Sequence, residues 1–223
     1  ELCFSLNSPC KEKNLFFFPA LVGLSVFYQQ LCHSLSDISC YGFNAIGLAH
    51  PNTMIKKVEE MAEIYVAKID QLQPQGPYHL LGHSFGGILA YEVARQLEQK
   101  GKVVDLIVII DTYPRGLLIE NQAAEMGKQI AAKDLVIMIV EFVASLLGQP
   151  LPPSLIDKFQ ELDQEELIDR LFSELDRLQK AVGITNLFTP YIVRVLWEAI
   201  ENNFLANVNY QCLSTISPKK TLL

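Results

Sequence analysis

The chain has 223 residues, half of them apolar, with 18 Lys and Arg against 25 Asp and Glu and a net charge of −7. That length and apolar content fit one domain of the α/β type with a sizeable core, and exclude a disordered chain. The acidic balance, with basic residues scattered, excludes a nucleic-acid binder, because neutralising phosphates takes clustered Lys and Arg. Five cysteines, Cys3, Cys10, Cys32, Cys40 and Cys212, are odd in number and widely spaced without a C-x-x-C pair. They predict inert thiols in a reducing compartment rather than a disulfide framework or a zinc site. No apolar run approaches the length of a membrane span, and no charged segment leads into a hydrophobic one at the start, so the expectation is a soluble, cytoplasmic protein. A start at Glu1 and a finish on the strand-like run Thr221-Leu222-Leu223 suggest a piece of a longer polypeptide.

In chain order, Asn14 to Phe18 reads as a short buried strand and Pro19 to Gly23 as the loop leaving it. A helix is predicted from Ser25, as N-cap, to Leu35, then a strand over Ile38 to Asn44. Thr53 to Leu72 carries apolar residues at Ile55, Val58, Met61, Ala62, Tyr65, Val66 and Ile69, the spacing of one helix face. Pro74-Gln75-Gly76-Pro77 breaks it before the strand Tyr78 to Leu81, and a helix from Ile88 stops at Lys100-Gly101. Val103 to Ile110 is nearly continuous in apolar residues, as expected of a parallel sheet covered on both faces. From Thr112 to Asn209 the pattern turns helical, with segments over Ala123 to Leu147, Pro153 to Gln160, Gln164 to Val182 and Leu187 to Ala206. We read a single domain with core 14–111 and 210–223 and a helical lid inserted over about 112–209. Leu167, Ile168, Leu171, Leu175 and Leu178 form one apolar stripe there, which suits packing against the body or, alternatively, the inner face of a lid over an acyl chain.

The hexapeptide Gly82-His83-Ser84-Phe85-Gly86-Gly87 lies between a strand and a helix, the context of a nucleophile elbow. A serine on so sharp a turn needs neighbours without side chains, and Gly82 and Gly86 supply them. Serine also needs a base to take its proton and an acid to orient that base. Asp111, at the carboxyl end of the strand expected beside the elbow strand, is the candidate acid. A turn cap in Asp111-Thr112-Tyr113-Pro114 is its structural alternative. The oxyanion of acyl transfer needs two backbone N–H donors, assigned to Phe85, after the nucleophile, and to Leu21, in the loop after the first strand, with Ala20 as the other choice there. All four histidines, His33, His50, His79 and His83, precede Ser84, and none has the position of a base that follows the acid in the chain. The histidine is therefore expected beyond residue 223.

Four tracts, Phe18-Pro19-Ala20-Leu21-Val22-Gly23, Gln71 to Tyr78, Gly82 to Gly87 and Ile109 to Pro114, resemble the thioesterase domains of nonribosomal peptide synthetases and modular polyketide synthases. The resemblance runs from about Asn14 to Arg115 and loosely through the helical region. It implies an α/β-hydrolase fold with a helical lid after the acid's strand, and a C-terminal part of that fold missing here. The family's nucleophile falls on Ser84, its acid on Asp111, and its oxyanion donors on Leu21 and Phe85. It also implies no metal or redox cofactor, and as partner an acyl or peptidyl carrier protein bearing phosphopantetheine. A carboxylesterase or lipase on the same fold, and a non-catalytic acyl-binding scaffold, are the alternatives; the HGGG tract of many lipases is absent.

Overall fold

The computed structural model describes residues 1–8, 12–48, 53–112, 132–149, 164–185, 188–211 and 220–222, together with 151, 159, 162 and 216. Its elements are β1 (Cys3–Ser5), β2 (Lys13–Phe18), α1 (Gln29–His33), β3 (Ile38–Phe43), α2 (Val58–Leu72), β4 (Tyr78–His83), α3 (Phe85–Gln99), β5 (Val104–Ile110), α4 (Ala132–Leu146), α5 (Gln164–Ala181), α6 (Pro190–Asn209) and β6 (Lys220–Leu222). The six strands form one sheet in the order β1-β3-β2-β4-β5-β6. All neighbours run parallel except β1, which lies antiparallel against β3.

Strand β2 shows why this sheet needs helices on both sides. Its side chains alternate across the pleat: Phe16 and Phe18 enter the core built with α2 and α3, while Leu15 and Phe17 enter a second cluster with Cys32 of α1 and Cys40. In the first cluster Phe18 stacks on Phe43 at 5.4 Å between centroids, and Tyr65 of α2 meets both rings. A fully buried Phe contributes about 1.5–3 kcal/mol relative to exposure, so the Leu15-Phe16-Phe17-Phe18 run anchors both faces.

Two expectations need correction. Ser25 does not cap a helix: its hydroxyl donates to the Phe43 carbonyl and its N–H to Asn44 Oδ1 at 3.1 Å, so the chain passes through a 3-10 turn, Val26–Tyr28, into the short α1. Helix α2 starts at Val58 rather than Thr53, because Lys57 is extended (φ −125°, ψ 133°) and the Ile55 carbonyl is taken by Asn202. Strand β1, three residues long, has too little alternation to be read from sequence. Helix α3 ends as expected, with Gly101 at φ 72° after Lys100. The segment Pro153 to Gln160 falls outside the described residues except for Phe159, as do His50, Cys10, Cys212 and 123–131 of the helix expected over Ala123 to Leu147.

The chain separates into two compact units, Glu1–Ile119 with Ala199–Leu223, and Glu120–Glu198. In the second, α5 packs on α4, and Leu167, Leu171, Leu175 and Leu178 are buried. The stripe is thus packed. In the first, the buried carboxylate of Glu92 on α3 accepts from Arg95 through two bonds of 2.6 and 2.7 Å, from Gln96 at 2.8 Å and from the Tyr210 hydroxyl at 2.9 Å. A buried charge so fully bonded fixes the segment after α6 against α3. No helix among the described residues is long and apolar enough to cross a membrane.

Cys32 and Cys40 are completely buried, with the Cys40 thiol donating to the Ile38 carbonyl at 3.8 Å, and burial pushes both thiols up. The thiolate is the reactive form. Alkylation of the native protein at mildly alkaline pH should therefore spare Cys32 and Cys40, which react once urea unfolds the chain; peptide mapping by mass spectrometry checks this. At the turn into α3, a Cβ on Gly82 would overlap the Gly86 carbonyl and the Gly87 nitrogen, whereas one on Gly101 would meet nothing within 4 Å. Gly82→Ala should cost at least ~3 kcal/mol in urea denaturation, and Gly101→Ala, which has only its left-handed φ to bear, about 1 kcal/mol.

Candidate active site

The strand order places a topological switch point beside β2: the chain leaves β2 for β3 on one side and returns to β4 on the other. Connections diverge at the carboxyl ends there and leave a crevice, the common ligand position in such sheets. The register aligns three carboxyl ends along it, Phe18 opposite Gly82 and His83 opposite Ile110. The next residues of β4 and β5 are Ser84 and Asp111, and the loop after β2 carries Leu21. Strand pairing thus brings Ser84 and Asp111 to one rim, and the loop bearing Leu21 leaves from the strand next to them.

Ser84 has φ 54° and ψ −125°, and Asp111 has φ 47°; they are the positive-φ non-glycine residues among those described. Holding Ser84 there costs roughly 1–3 kcal/mol. Three bonds offset that cost. The Ser84 N–H donates to the Ile110 carbonyl at 2.9 Å, and the Ser84 carbonyl accepts from the Gly87 N–H at 2.9 Å and from Thr112 Oγ1 at 2.9 Å. At about 0.5–1.5 kcal/mol net each, they match the strain. Thr112 Oγ1 also lies 3.1 Å from the Ile110 carbonyl oxygen, so its one hydroxyl hydrogen is shared between the two carbonyls. Ser84 is therefore bonded to the residues on both sides of Asp111, which locks the two candidate side chains to a common backbone frame.

Two glycines set the close approaches. A Cβ on Gly87 would overlap the Thr112 hydroxyl, and one on Gly86 would lie 2.5 Å from the Phe18 carbonyl and 3.1 Å from that of Pro19. Gly87 thus admits Thr112, and Gly86 lets the end of β2 press against the first turn of α3. That approach sets the Phe18-Pro19 backbone, which leads to Leu21, against the turn that bears the Phe85 N–H. Among the described residues, neither N–H has an acceptor. Phe85 opens α3, where N–H groups are unpaired and the helix dipole favours negative charge.

The described histidines take other positions. His79 Nδ1 lies 3.1 Å from the Asn14 carbonyl and Nε2 lies 3.4 Å from Asp105 Oδ2, so both nitrogens are engaged within the sheet. His33 ends α1. His83 Nε2 is 4.0 Å from Asp111 Oδ2, with both side chains largely exposed. Sequence reasoning missed this contact, and it missed Thr112. A hydroxyl that bonds main-chain carbonyls leaves no spacing pattern, and Thr112 stood in the sequence only as part of a loop.

A family model described as "Thioesterase domain" matches residues 13–180. Polyketide synthase PksR of Bacillus subtilis (strain 168) is 32% identical over 179 residues, 80% of this chain and 7% of that protein. A dimodular nonribosomal peptide synthase of the same organism is 32% identical over 201 residues, 88% of this chain and 8% of that protein. Among solved structures, holo-AB3403, a four-domain nonribosomal peptide synthetase bound to AMP and glycine, superimposes with a TM-score of 0.75 at 27% identity, covering 95% of this chain and 15% of that one. The chain thus spans less than a tenth of the length of these curated relatives. The parallel sheet, its switch point and the strained turn between β4 and α3 are those of an α/β-hydrolase fold, and the chain belongs to the thioesterase domain family.

Proposed function

We propose that the chain releases an acyl or peptidyl group from the phosphopantetheine thioester of a carrier protein through an acyl-enzyme on Ser84. The observation that carries this reading is the strained Ser84 backbone, bonded to Ile110 and Thr112 on either side of Asp111. Strain of that kind persists where the surroundings over-determine it, and it clusters at sites of chemistry. The similarity to polyketide and nonribosomal peptide synthases supports a thioester as substrate.

In this reading Ser84 Oγ attacks the thioester carbonyl carbon while a base takes its proton. The negative oxygen of the tetrahedral intermediate accepts from the Leu21 and Phe85 N–H groups. Collapse breaks the C–S bond, and the pantetheine thiol leaves with the proton returned by the base. Water, or a nucleophile within the acyl chain, then attacks the Ser84 ester; the first outcome is hydrolysis and the second cyclisation. Asp111 orients the base and stabilises its charged form. His79 is engaged on both ring nitrogens, and His83 precedes Ser84 on an alternating strand, so neither has the geometry to serve Ser84 as base.

A fluorophosphonate tests the assignment, since attack by a serine oxygen forms an O–P bond and expels fluoride. Intact mass should show one adduct, mapping to Ser84 and absent in Ser84→Ala. Added imidazole, a free base, should speed adduct formation in the wild-type chain and in His83→Ala alike. A persistent adduct in Ser84→Ala would overturn the nucleophile, and loss of labelling in His83→Ala as complete as in Ser84→Ala would make His83 the base.

A further inference from the structure

Helix α6 carries two adjacent buried asparagines, Asn202 and Asn203, flanked by the buried apolar residues Ala199, Ile200 and Ala206. A buried amide without partners is costly, so the question is what each one holds. Asn202 Nδ2 donates to the Ile55 carbonyl, in the extended stretch before α2. Asn203 Nδ2 donates to the Leu21 carbonyl at 3.0 Å, across 182 positions of sequence. Both contacts lie within the first compact unit.

The second contact falls on the turn that bears a candidate oxyanion donor. In that turn the Gly23 N–H donates to the Ala20 carbonyl at 2.8 Å, and the Gly23 carbonyl accepts from the Ala45 N–H at 2.7 Å. Gly23, at φ 82°, has no side chain; a Cβ there would meet the Ala45 side chain at 2.8 Å and Asn203 Nδ2 at 3.8 Å. Within a planar trans peptide the N–H points opposite the carbonyl of the same unit. With the Ala20 carbonyl turned toward Gly23, the Leu21 N–H is aimed out of the turn. The Leu21 backbone torsions couple that plane to the following peptide, and the carbonyl of that peptide is the one Asn203 holds. Among the described residues, the Leu21 carbonyl has no backbone donor.

We infer that Asn203 is a positioning residue that holds the Leu21 N–H in the orientation needed to receive the oxyanion; the inference rests on the Ser84 acyl-enzyme reading. Asn203 touches no reacting atom and acts through the Leu21-Val22 peptide. Asn202 is a built-in control: the same residue type, one position earlier on the same helix, making the same kind of bond to a carbonyl away from the candidate site.

The experiment compares Asn203→Leu with Asn202→Leu, each nearly isosteric and without a donor, by two readouts. Amide deuterium exchange over residues 19–24 should accelerate about tenfold or more in Asn203→Leu and stay unchanged in Asn202→Leu, which should instead loosen residues 53–57. Fluorophosphonate labelling of Ser84 should slow by about tenfold to a hundredfold in Asn203→Leu, the range for a displaced rather than deleted oxyanion donor, and by less than about twofold in Asn202→Leu. Should Asn203→Leu not fold, Asn203→Ala serves the same comparison. Unchanged exchange over 19–24 would overturn the tether, and faster exchange with unchanged labelling would overturn its oxyanion role. A wild-type chain that is not labelled at Ser84 would instead overturn the nucleophile reading, with the exchange readout still deciding on the tether.

Discussion

The site depends on one constraint, the meeting of the Ser84 backbone with the end of β5. A serine at φ 54° and ψ −125° does not hold that conformation by itself. It is held because the Ile110 carbonyl takes its N–H and the Gly87 N–H and Thr112 hydroxyl take its carbonyl. These partners come from two elements, the first turn of α3 and the end of β5. The conformation therefore exists only when β4 and β5 are paired in register and α3 has docked. Local strain has become a reporter of correct tertiary structure.

The packing beneath gives that frame its stiffness. Phe16 and Phe18 on one face of β2 and Phe17 on the other are fully buried, so β2 cannot slip by one residue without exchanging its two core faces. The β2–β4 register in turn sets where the loop after Phe18 emerges relative to Gly82. Glu92, two turns into α3, is bonded by Arg95, Gln96 and Tyr210, which ties the far side of the same helix to the segment following α6. The elbow is thus braced from the sheet below and from the helix behind.

What the sequence disclosed follows from how each feature is encoded. Strands β2 to β5 and helices α2, α3 and α5 bury many side chains at regular intervals, and periodicity reports them. The sharp turn at Ser84 is legible because bare backbone at fixed spacing, Gly82 and Gly86, is itself a pattern, and the place of Asp111 because it ends the apolar strand beside that turn. The start of α2 was misjudged because Ile55 has the helical spacing, yet its carbonyl is spent on Asn202. Ser25 was misread as a cap because its composition suits one, while Phe43 offered its hydroxyl a buried acceptor. Thr112, the His83–Asp111 contact and Asn203 were invisible, since each depends on which distant atoms meet.

A site made largely of main-chain groups has a further consequence. Leu21 and Phe85 offer N–H groups, so replacing their side chains would leave the donors in place; what can move those donors is whatever orients the peptides. For Phe85 that is the first turn of α3, fixed by the helix itself. Leu21 has no such element, only a four-residue turn closed by Gly23 and bounded by Ala45 and Asn203. The two N–H groups thus differ in their surroundings, one set in a run of helical hydrogen bonds and the other in a short turn held by its own closing bond and by one long-range amide. Helix α6, the last of the helical region in sequence, thereby meets the backbone of the Leu21 loop through the Asn203 amide. In the proposed reading, variation in that helix tunes the oxyanion donor while Ser84, Asp111 and the glycines around them stay as they are.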